Sequence, residues 1–301
     1  MGHRNYPKAQ HYVPQFYLRH FGIPPKHNRI YAHDLLRNGE TYQVAIPDAA
    51  QSNQFYSRTG DSKLEHELAE LEGAAAAVWK IVSDRQSLSE LTEDQKRTMA
   101  KFIVTLMVRT PSTRTSITEM AQLTRAWLGN LATPIGADLM NQLNPSEDEA
   151  ARASVDLVRT SFTWAHLLLQ LRWTLLLHPP GISIPTSDCP VAKANEAFAR
   201  DIGRGHLGLT SPGIQLYVPI SSKLVLLIDD APYYERLPVG VPVILSPENL
   251  VYLTHLLVRS ATRCLYSEDG RIERRSGMQV SPHWQVATSN GWKSVADYHL
   301  E

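Results

Sequence analysis

The sequence predicts an α+β protein, with a mainly helical first half and a second half built around a small mixed or antiparallel sheet with one or two helices. Two patterns support this prediction. Up to about residue 178, apolar residues recur at helical spacing in several segments, as from Ser62 to Asp84. After Pro179-Pro180-Gly181, short apolar runs rich in Ile, Val and Leu end in Pro, Ser or Asp. We therefore expect one composite domain over 1–301, with a helical lobe at 8–178 and an α+β lobe at 181–301.

Turn-forming residues and a proline predict the structure of the N-terminal segment. Arg29–Leu35 and Thr41–Ile46 are rich in aromatic and β-branched residues and flank Asn38-Gly39, which predicts a β-hairpin near 29–46. Pro14 is suited to a first helical turn and holds the preceding residue extended. A short helix over Pro14–Phe21 follows.

Further helices are predicted downstream. Thr92 followed by Gln95 is a capping-box pattern, and the helix that it opens should stop before Pro111. More helix is expected at about 115–132 and from 146 to about 177, where the proline pair ends it.

The second half should combine strands with one clear helix. Short β-type runs are expected at 182–184, 214–218 and 224–228. Ser246-Pro247 resembles a helix start, and 263–266 should return as a strand.

Composition limits the classes of function. Lysine and arginine together number 30, as do aspartate and glutamate, which disfavours extended binding to duplex nucleic acid. Cys189 and Cys264 are the only cysteines, too few for a disulfide framework, so a reducing, cytoplasmic location is expected. The most apolar segment, Trp164–Leu177, carries polar interruptions and is too short to cross a bilayer. We expect no membrane contact.

Several motifs combine polar and apolar residues at recognisable positions. In chain order they are His11-Tyr12-Val13-Pro14-Gln15-Phe16-Tyr17-Leu18-Arg19-His20-Phe21, the pair Glu65 and Glu72, Arg109-Thr110-Pro111, Ser187-Asp188-x-Pro190-Val191 and Pro219-Ile220-Ser221. From about Lys8 to Tyr266 the chain resembles the uncharacterised bacterial family catalogued as domain of unknown function 4238. The resemblance implies that the chain is related to this family, and it assigns no activity. Each functional role below is therefore argued from the chemistry of the side chains.

His11 is the first candidate for a functional side chain. Imidazole exchanges protons near neutral pH, and a residue just before a helix that begins with proline can project into a cleft. The alternative is that His11 binds a backbone carbonyl and locks the N-terminal turn. Gln15 could orient it in either case.

Glu65 and Glu72, two helical turns apart, are the second candidate. Together with Asp188 they could bind a magnesium or manganese ion, or they could bind an arginine such as Arg109. The alternative for the glutamates is ordinary solvated charge, and Arg109 could equally neutralise its own helix C-terminus.

Asp188 is expected where a strand gives way to a turn, a common place for functional groups and equally for turn-forming side chains. The basic first 37 residues, with interleaved aromatics such as Tyr12, Phe16 and Tyr17, could face nucleic acid or a phosphorylated small molecule. A solvated tail with some aromatics in the core is the alternative.

These residues suggest three functional hypotheses. The leading one is a hydrolase acting on phosphoesters or nucleic acid, with a site between the lobes formed by His11, Gln15, Glu65, Glu72, Arg109 and Asp188. The alternative is a non-enzymatic interaction or regulatory protein in which the same residues form a structural network. A third is a small-molecule binding domain with the Gly203–Gly213 loop as a lid.

Overall fold

The computed structural model describes residues 9–53, 62–129, 146–178, 181, 183–199, 205–234, 242–272, 285–288 and 291–294. Helices and strands both contribute throughout these ranges, so the α+β class expected from the sequence is confirmed.

The helices begin largely where the sequence signals placed them. They are α1 (Gln15–Arg19), α2 (Ser62–Arg85), α3 (Glu93–Val108), α4 (Pro111–Gly129), α5 (Glu147–Ser161), α6 (Ala165–Leu169) and α7 (Pro247–Ser260). The capping box expected at α3 is present, because the Thr92 hydroxyl accepts from the Gln95 N–H at 3.2 Å and the Gln95 carboxamide accepts from the Thr92 N–H at 2.9 Å. Ser246 and Asn249 form the same arrangement at α7.

The strands form two larger sheets and two strand pairs in the described residues. They are β1 (Ala9–His11), β2 (Arg29–Asp34), β3 (Glu40–Ala45), β4 (Gln51–Asn53), β5 (Arg172–Leu177), β6 (Thr186–Ser187), β7 (Ala192–Ala194), β8 (Gln215–Ser221), β9 (Leu224–Asp229), β10 (Val243–Ile244), β11 (Cys264–Ser267), β12 (Gln285–Thr288) and β13 (Gly291–Ser294). The five-stranded sheet has the order β10-β5-β9-β8-β7, and the four-stranded sheet has the order β3-β2-β11-β6. Only the β10–β5 pair is parallel among these described pairings.

The hairpin expected near 29–46 is confirmed as β2 and β3. Its ladder runs from Arg29 opposite Ala45 to Asp34 opposite Glu40, and the turn needs positive φ at Asn38 (52°) and Gly39 (78°). The hairpin is not confined to the helical lobe, because the other edge of β2 pairs with β11. Strands from both sides of the expected lobe boundary at 179–181 therefore share sheets.

The helix expected from 146 to about 177 is wrong over its last quarter, from 170 to 177. After α6 the chain becomes strand β5, which lies between β9 and β10. Leu175 and Leu176 are both buried, in different apolar clusters on opposite faces of the sheet. A strand that is buried on both faces gives a continuous apolar run, which periodicity alone does not distinguish from a buried helix. The strand expected at 182–184 is absent from residues 183 and 184, residue 182 lies outside the described residues, and β6 begins at Thr186 instead.

Trp79 of α2 stands at the centre of the largest apolar cluster. Its ring packs edge-on against Tyr17 and Phe102, with centroids 5.5 and 5.4 Å away, and its indole N–H donates to the carbonyl oxygen of Ile220 at 2.8 Å. The cluster thereby includes α1, α2, α3 and β8. The two halves of the chain share one core.

No helix within the described ranges is long and apolar enough to span a membrane.

Burial of His20 predicts a pH dependence of folding. Burial lowers the pKa of its imidazole from the ordinary 6.5 to about 4. Between these values the unfolded chain binds a proton at His20 that the folded protein does not, so the free energy of unfolding falls as the pH falls through this window. We expect His20→Gln to flatten the loss between pH 7 and pH 5 by about 1–2 kcal/mol, measured by urea denaturation at each pH. Parallel curves for the two proteins would contradict the prediction.

Candidate functional site

Arg109 lies at the junction of α3 and α4 and joins two of the motifs. Its guanidinium donates a hydrogen bond to the Glu72 carboxylate and another to the carbonyl oxygen of His11, the latter at 2.5 Å. The Arg109 side chain is only 7% exposed and that of Glu72 is 27% exposed. A buried cation requires an anion and hydrogen-bond acceptors, and these two partners provide both.

Glu65 also binds strand β1, at the residue that precedes His11. The Gln10 carboxamide donates to the Glu65 carboxylate at 2.5 Å, so β1 is bound by side chains at two successive positions. Because Glu65 and Glu72 are seven residues apart on α2, they lie on one helical face. That face anchors the extended N-terminal strand to the helices.

The ring of His11 is also engaged. Its Nε2 lies 2.8 Å from the Pro47 carbonyl oxygen and must donate there, since a carbonyl only accepts. Gln15 brings its carboxamide nitrogen within 3.5 Å of the same ring nitrogen. Burial, aided by the positive charge of Arg109, lowers the pKa of His11, against the opposing effects of Pro47, Glu72 and Asp48. His11 is therefore neutral at neutral pH and fixes the segment that follows β3.

Asp188 binds a different part of the chain. Its carboxylate accepts from the backbone N–H groups of Thr262, Arg263 and Cys264 at 2.8, 2.7 and 3.1 Å, and the residue is 1% exposed. Burial raises the pKa of this carboxyl group despite the three amide donors. Asp188 thus fastens the turn after β6 to the chain that enters β11.

Tyr12 lies between the two groups of motif residues. It follows His11 in sequence, and burial together with the negative charge of Asp188 raises the pKa of its phenol. Five of the expected site residues, His11, Gln15, Glu65, Glu72 and Arg109, meet around β1, whereas the carboxylate of Asp188 serves the β6–β11 pair.

The three carboxylates expected as metal ligands have other partners. Glu65 binds a carboxamide, Glu72 binds a guanidinium and Asp188 binds backbone amides. In the part of the chain that the structure describes, no group of three or more His, Cys, Asp or Glu side chains is placed to hold a metal ion. The magnesium or manganese site stays a prediction, and it is no part of the proposal below.

The aromatic residues of the basic N-terminal segment are largely in the core. Tyr17 is fully buried and its hydroxyl donates to the Pro219 carbonyl oxygen at 2.9 Å, and Phe16 packs against Phe102 with centroids 5.1 Å apart. The Tyr17 ring is therefore not available to stack on a base, whereas Phe16 is partly buried. The basic residues Arg4 and Lys8 lie outside the described residues.

A cavity of about 760 Å³ opens beside the motif residues. Thr110 and Cys189, the sequence neighbours of Arg109 and Asp188, line it directly. Other walls come from the end of α3, the start of α4, β7, the segments 195–199 and 206–209, and the end of α7. Arg109 and Asp188 therefore lie directly behind Thr110 and Cys189, which face the cavity.

The loop between Gly203 and Gly213 forms one wall of the cavity over its described residues. The Asn195 carboxamide donates to the carbonyl oxygens of His206 and Pro212 at 2.9 and 2.8 Å, and the His206 ring stacks on Phe198 at 5.1 Å. Residues 201–204 lie outside the described structure. From 205 onwards this loop is held by the hydrogen bonds from Asn195, and the lid expected from the sequence stays a prediction.

Cys189 is unsuited to act as a nucleophile. Burial, followed by the negative charge of Asp188, raises the pKa of its thiol, and the thiolate is the reactive form. Its sulfur lies 3.3 Å from the Thr262 hydroxyl and 3.7 Å from that of Ser112. It serves as a small buried surface of the cavity.

Lys193 and Arg259 also line the cavity, and neither residue belongs to a sequence motif. The only signal for Lys193 is a charged residue between two small ones in Ala192-Lys193-Ala194, a pattern that surface strands share. Arg259 reads as an ordinary cation in the last turn of a helix.

The sequence model of the family described as "Protein of unknown function (DUF4238)" matches residues 9–269. The chain belongs to this family. The match covers both motif groups and every described wall of the cavity. No curated protein and no solved structure matches the chain.

Truncation of Glu72 should destabilise the fold. Glu72→Ala leaves the Arg109 charge buried without its anion, a loss of about 3–5 kcal/mol for fully buried pairs. Because water reaches part of Glu72, we expect a decrease of about 2 kcal/mol in the free energy of unfolding, measured by urea denaturation.

The matched control is Glu70→Ala on the same helix. The Glu70 side chain is 70% exposed and contacts only His66 at 3.2 Å among the described ion pairs, so its removal should change stability by less than about 0.5 kcal/mol. Equal effects of the two substitutions would show that the Arg109 contact does not hold the fold.

Proposed function

We propose that this protein is a non-catalytic ligand-binding protein of the regulatory or sensing type, and that the cavity between α3, α4, β7 and α7 is its binding site. One observation supports the proposal above others: the polar atoms of the motif residues bind other parts of the chain, and their neighbours Thr110 and Cys189 line the cavity. The motifs then act by holding the walls in position.

The cavity has the size and composition of a small-molecule site. Its volume of about 760 Å³ lies in the range of ligand pockets, roughly 300–1,000 Å³. Leu106, Met107, Trp164 and Leu209 contribute apolar surface, and hydroxyl, amide and charged side chains lie among them. Apolar walls with a few oriented polar groups favour binding and orientation of a small organic molecule.

The arrangement favours binding over catalysis. A general base needs a free lone pair within reach of substrate, and His11, whose Nε2 donates to Pro47, does not line the cavity. Arg109 already directs two of its N–H donors to the Glu72 carboxylate and the His11 carbonyl, and Glu72 balances its charge. A cytoplasmic location, which the low cysteine content favours, belongs to the same proposal.

The hydrolase hypothesis has its own test. If the motif residues are catalytic, the protein should hydrolyse a phosphodiester such as bis-p-nitrophenyl phosphate, and His11→Ala should abolish that turnover while the melting temperature stays nearly unchanged. We expect instead no turnover by the wild-type protein and a lower melting temperature for His11→Ala, because the ring holds the Pro47 carbonyl.

Binding in the cavity can be tested with a neutral fluorescent probe, N-phenyl-1-naphthylamine. We expect saturable binding to the full chain, measured by fluorescence titration. Ser116 lines the cavity at an exposed position of α4, so Ser116→Trp should fill part of the space and weaken binding by about tenfold or more.

Thr115→Trp is the control for this titration. Thr115 is the preceding residue of α4, is also exposed, and does not line the cavity, so its replacement should leave the probe affinity within about twofold. Absence of saturable binding, or equal effects of the two tryptophans, would refute the cavity as a binding site.

A further inference from the structure

We propose that the ligand of this cavity is a small organic anion with an apolar or aromatic body, and that Lys193 and Arg259 bind its anionic group. The inference rests on the proposed function, since it names the class of ligand for the same cavity. It goes further by assigning two residues that no motif contains.

Lys193 is a cation that the described protein leaves without a counterion. It lies on β7 between two buried alanines, and its own side chain is exposed into the cavity. Among the described residues it makes no hydrogen bond and no ion pair. Although the side chain is partly accessible, the surrounding protein lowers the pKa of its amine by burial, the direction expected where protein replaces water without supplying an anion. An anion bound in the cavity would stabilise the charged form of this amine in place of water.

Arg259 supplies a second positive charge to the same space. It stands in the last turn of α7 and lines the cavity. Within the described ranges it too has no carboxylate partner. A guanidinium presents several N–H donors in a plane, which suits the oxygen atoms of a carboxylate or phosphate.

The acidic lining is small by comparison. Glu196 is the only carboxylate among the described lining residues, and it accepts a hydrogen bond from the Tyr252 hydroxyl. Its charge is thus partly directed to a protein donor, whereas neither cation has a carboxylate partner within the described residues. The local field favours an anionic ligand even though the whole chain has no net formal charge.

The start of α4 adds hydroxyl groups to the lining of the cavity. Thr110 and Ser112 place hydroxyl groups 3.1 Å apart there, and both residues line the cavity. The N-terminal end of a helix carries partial positive charge, which favours an anion close to these hydroxyls. This contribution supplements the two cations.

The apolar walls indicate what the anionic group is attached to. Phe198 and His206 stack nearly parallel, with their planes inclined by 20°, and both line the cavity. Leu207 and Leu209 come from the same loop. A bare inorganic ion would leave this surface uncovered, whereas an aromatic or aliphatic body would bury it.

The test compares two probes that share one fluorophore. 1-Anilinonaphthalene-8-sulfonate carries an anionic group that N-phenyl-1-naphthylamine lacks, so the pair isolates the effect of charge. We expect Lys193→Met and Arg259→Met each to weaken binding of the anionic probe to the full chain about tenfold, and to leave the neutral probe within about twofold. Lys223→Met, which removes an exposed lysine outside the cavity, should change neither affinity.

The outcomes separate this inference from the function on which it rests. Suppose that both probes bind and that Ser116→Trp weakens their binding. If neither Lys193→Met nor Arg259→Met then changes the affinity for the anionic probe, the cavity is a binding site and the anion assignment is wrong. If neither probe binds in the cavity, both proposals fail. Displacement of the anionic probe by phenyl phosphate or by benzoate would support the assignment and would identify the preferred anionic group as phosphate or carboxylate.

Discussion

The buried guanidinium of Arg109 is the interaction on which the arrangement of the first half depends. A charge this deeply buried is tolerated only when an anion and hydrogen-bond acceptors surround it. Meeting that requirement brings the Glu72 carboxylate of α2 and the His11 carbonyl of β1 to the end of α3. The position of α4 follows, because it begins two residues after Arg109, and so does the position of Thr110 in the cavity wall.

In the second half of the chain, Asp188 also joins segments that are distant in sequence, and it does so by accepting hydrogen bonds from backbone amides. Its carboxylate satisfies three successive backbone amides at the entry to β11, and this places Cys189 against the start of α4. Trp79 then joins the halves through the apolar core and one hydrogen bond to β8. A few polar contacts that are far apart in sequence thus determine the shape of a space that is itself mainly apolar.

Local signals in the sequence predicted local structure well. Asn38-Gly39 indicated the hairpin and Thr92 with Gln95 indicated the start of α3, because both depend on residues close in the chain. The β5 strand was mistaken for helix, since its burial on both faces depends on β9 and β10, which follow much later. For Glu72 the sequence offered Arg109 as one partner among others. The Ala192-Lys193-Ala194 pattern does not distinguish Lys193 from an ordinary surface lysine, because its significance comes only from the cavity around it.

The place of β5 in the sheet has a consequence for how the chain is made. On the ribosome this apolar strand emerges before both of its neighbours, since β9 and β10 lie further along the chain. Until they are synthesised, it exposes two unpaired edges as well as two apolar faces, the features that promote strand association between chains. A product that stopped after the helical half would keep this segment permanently unpaired. The protein is therefore safest from aggregation when its second half follows without interruption.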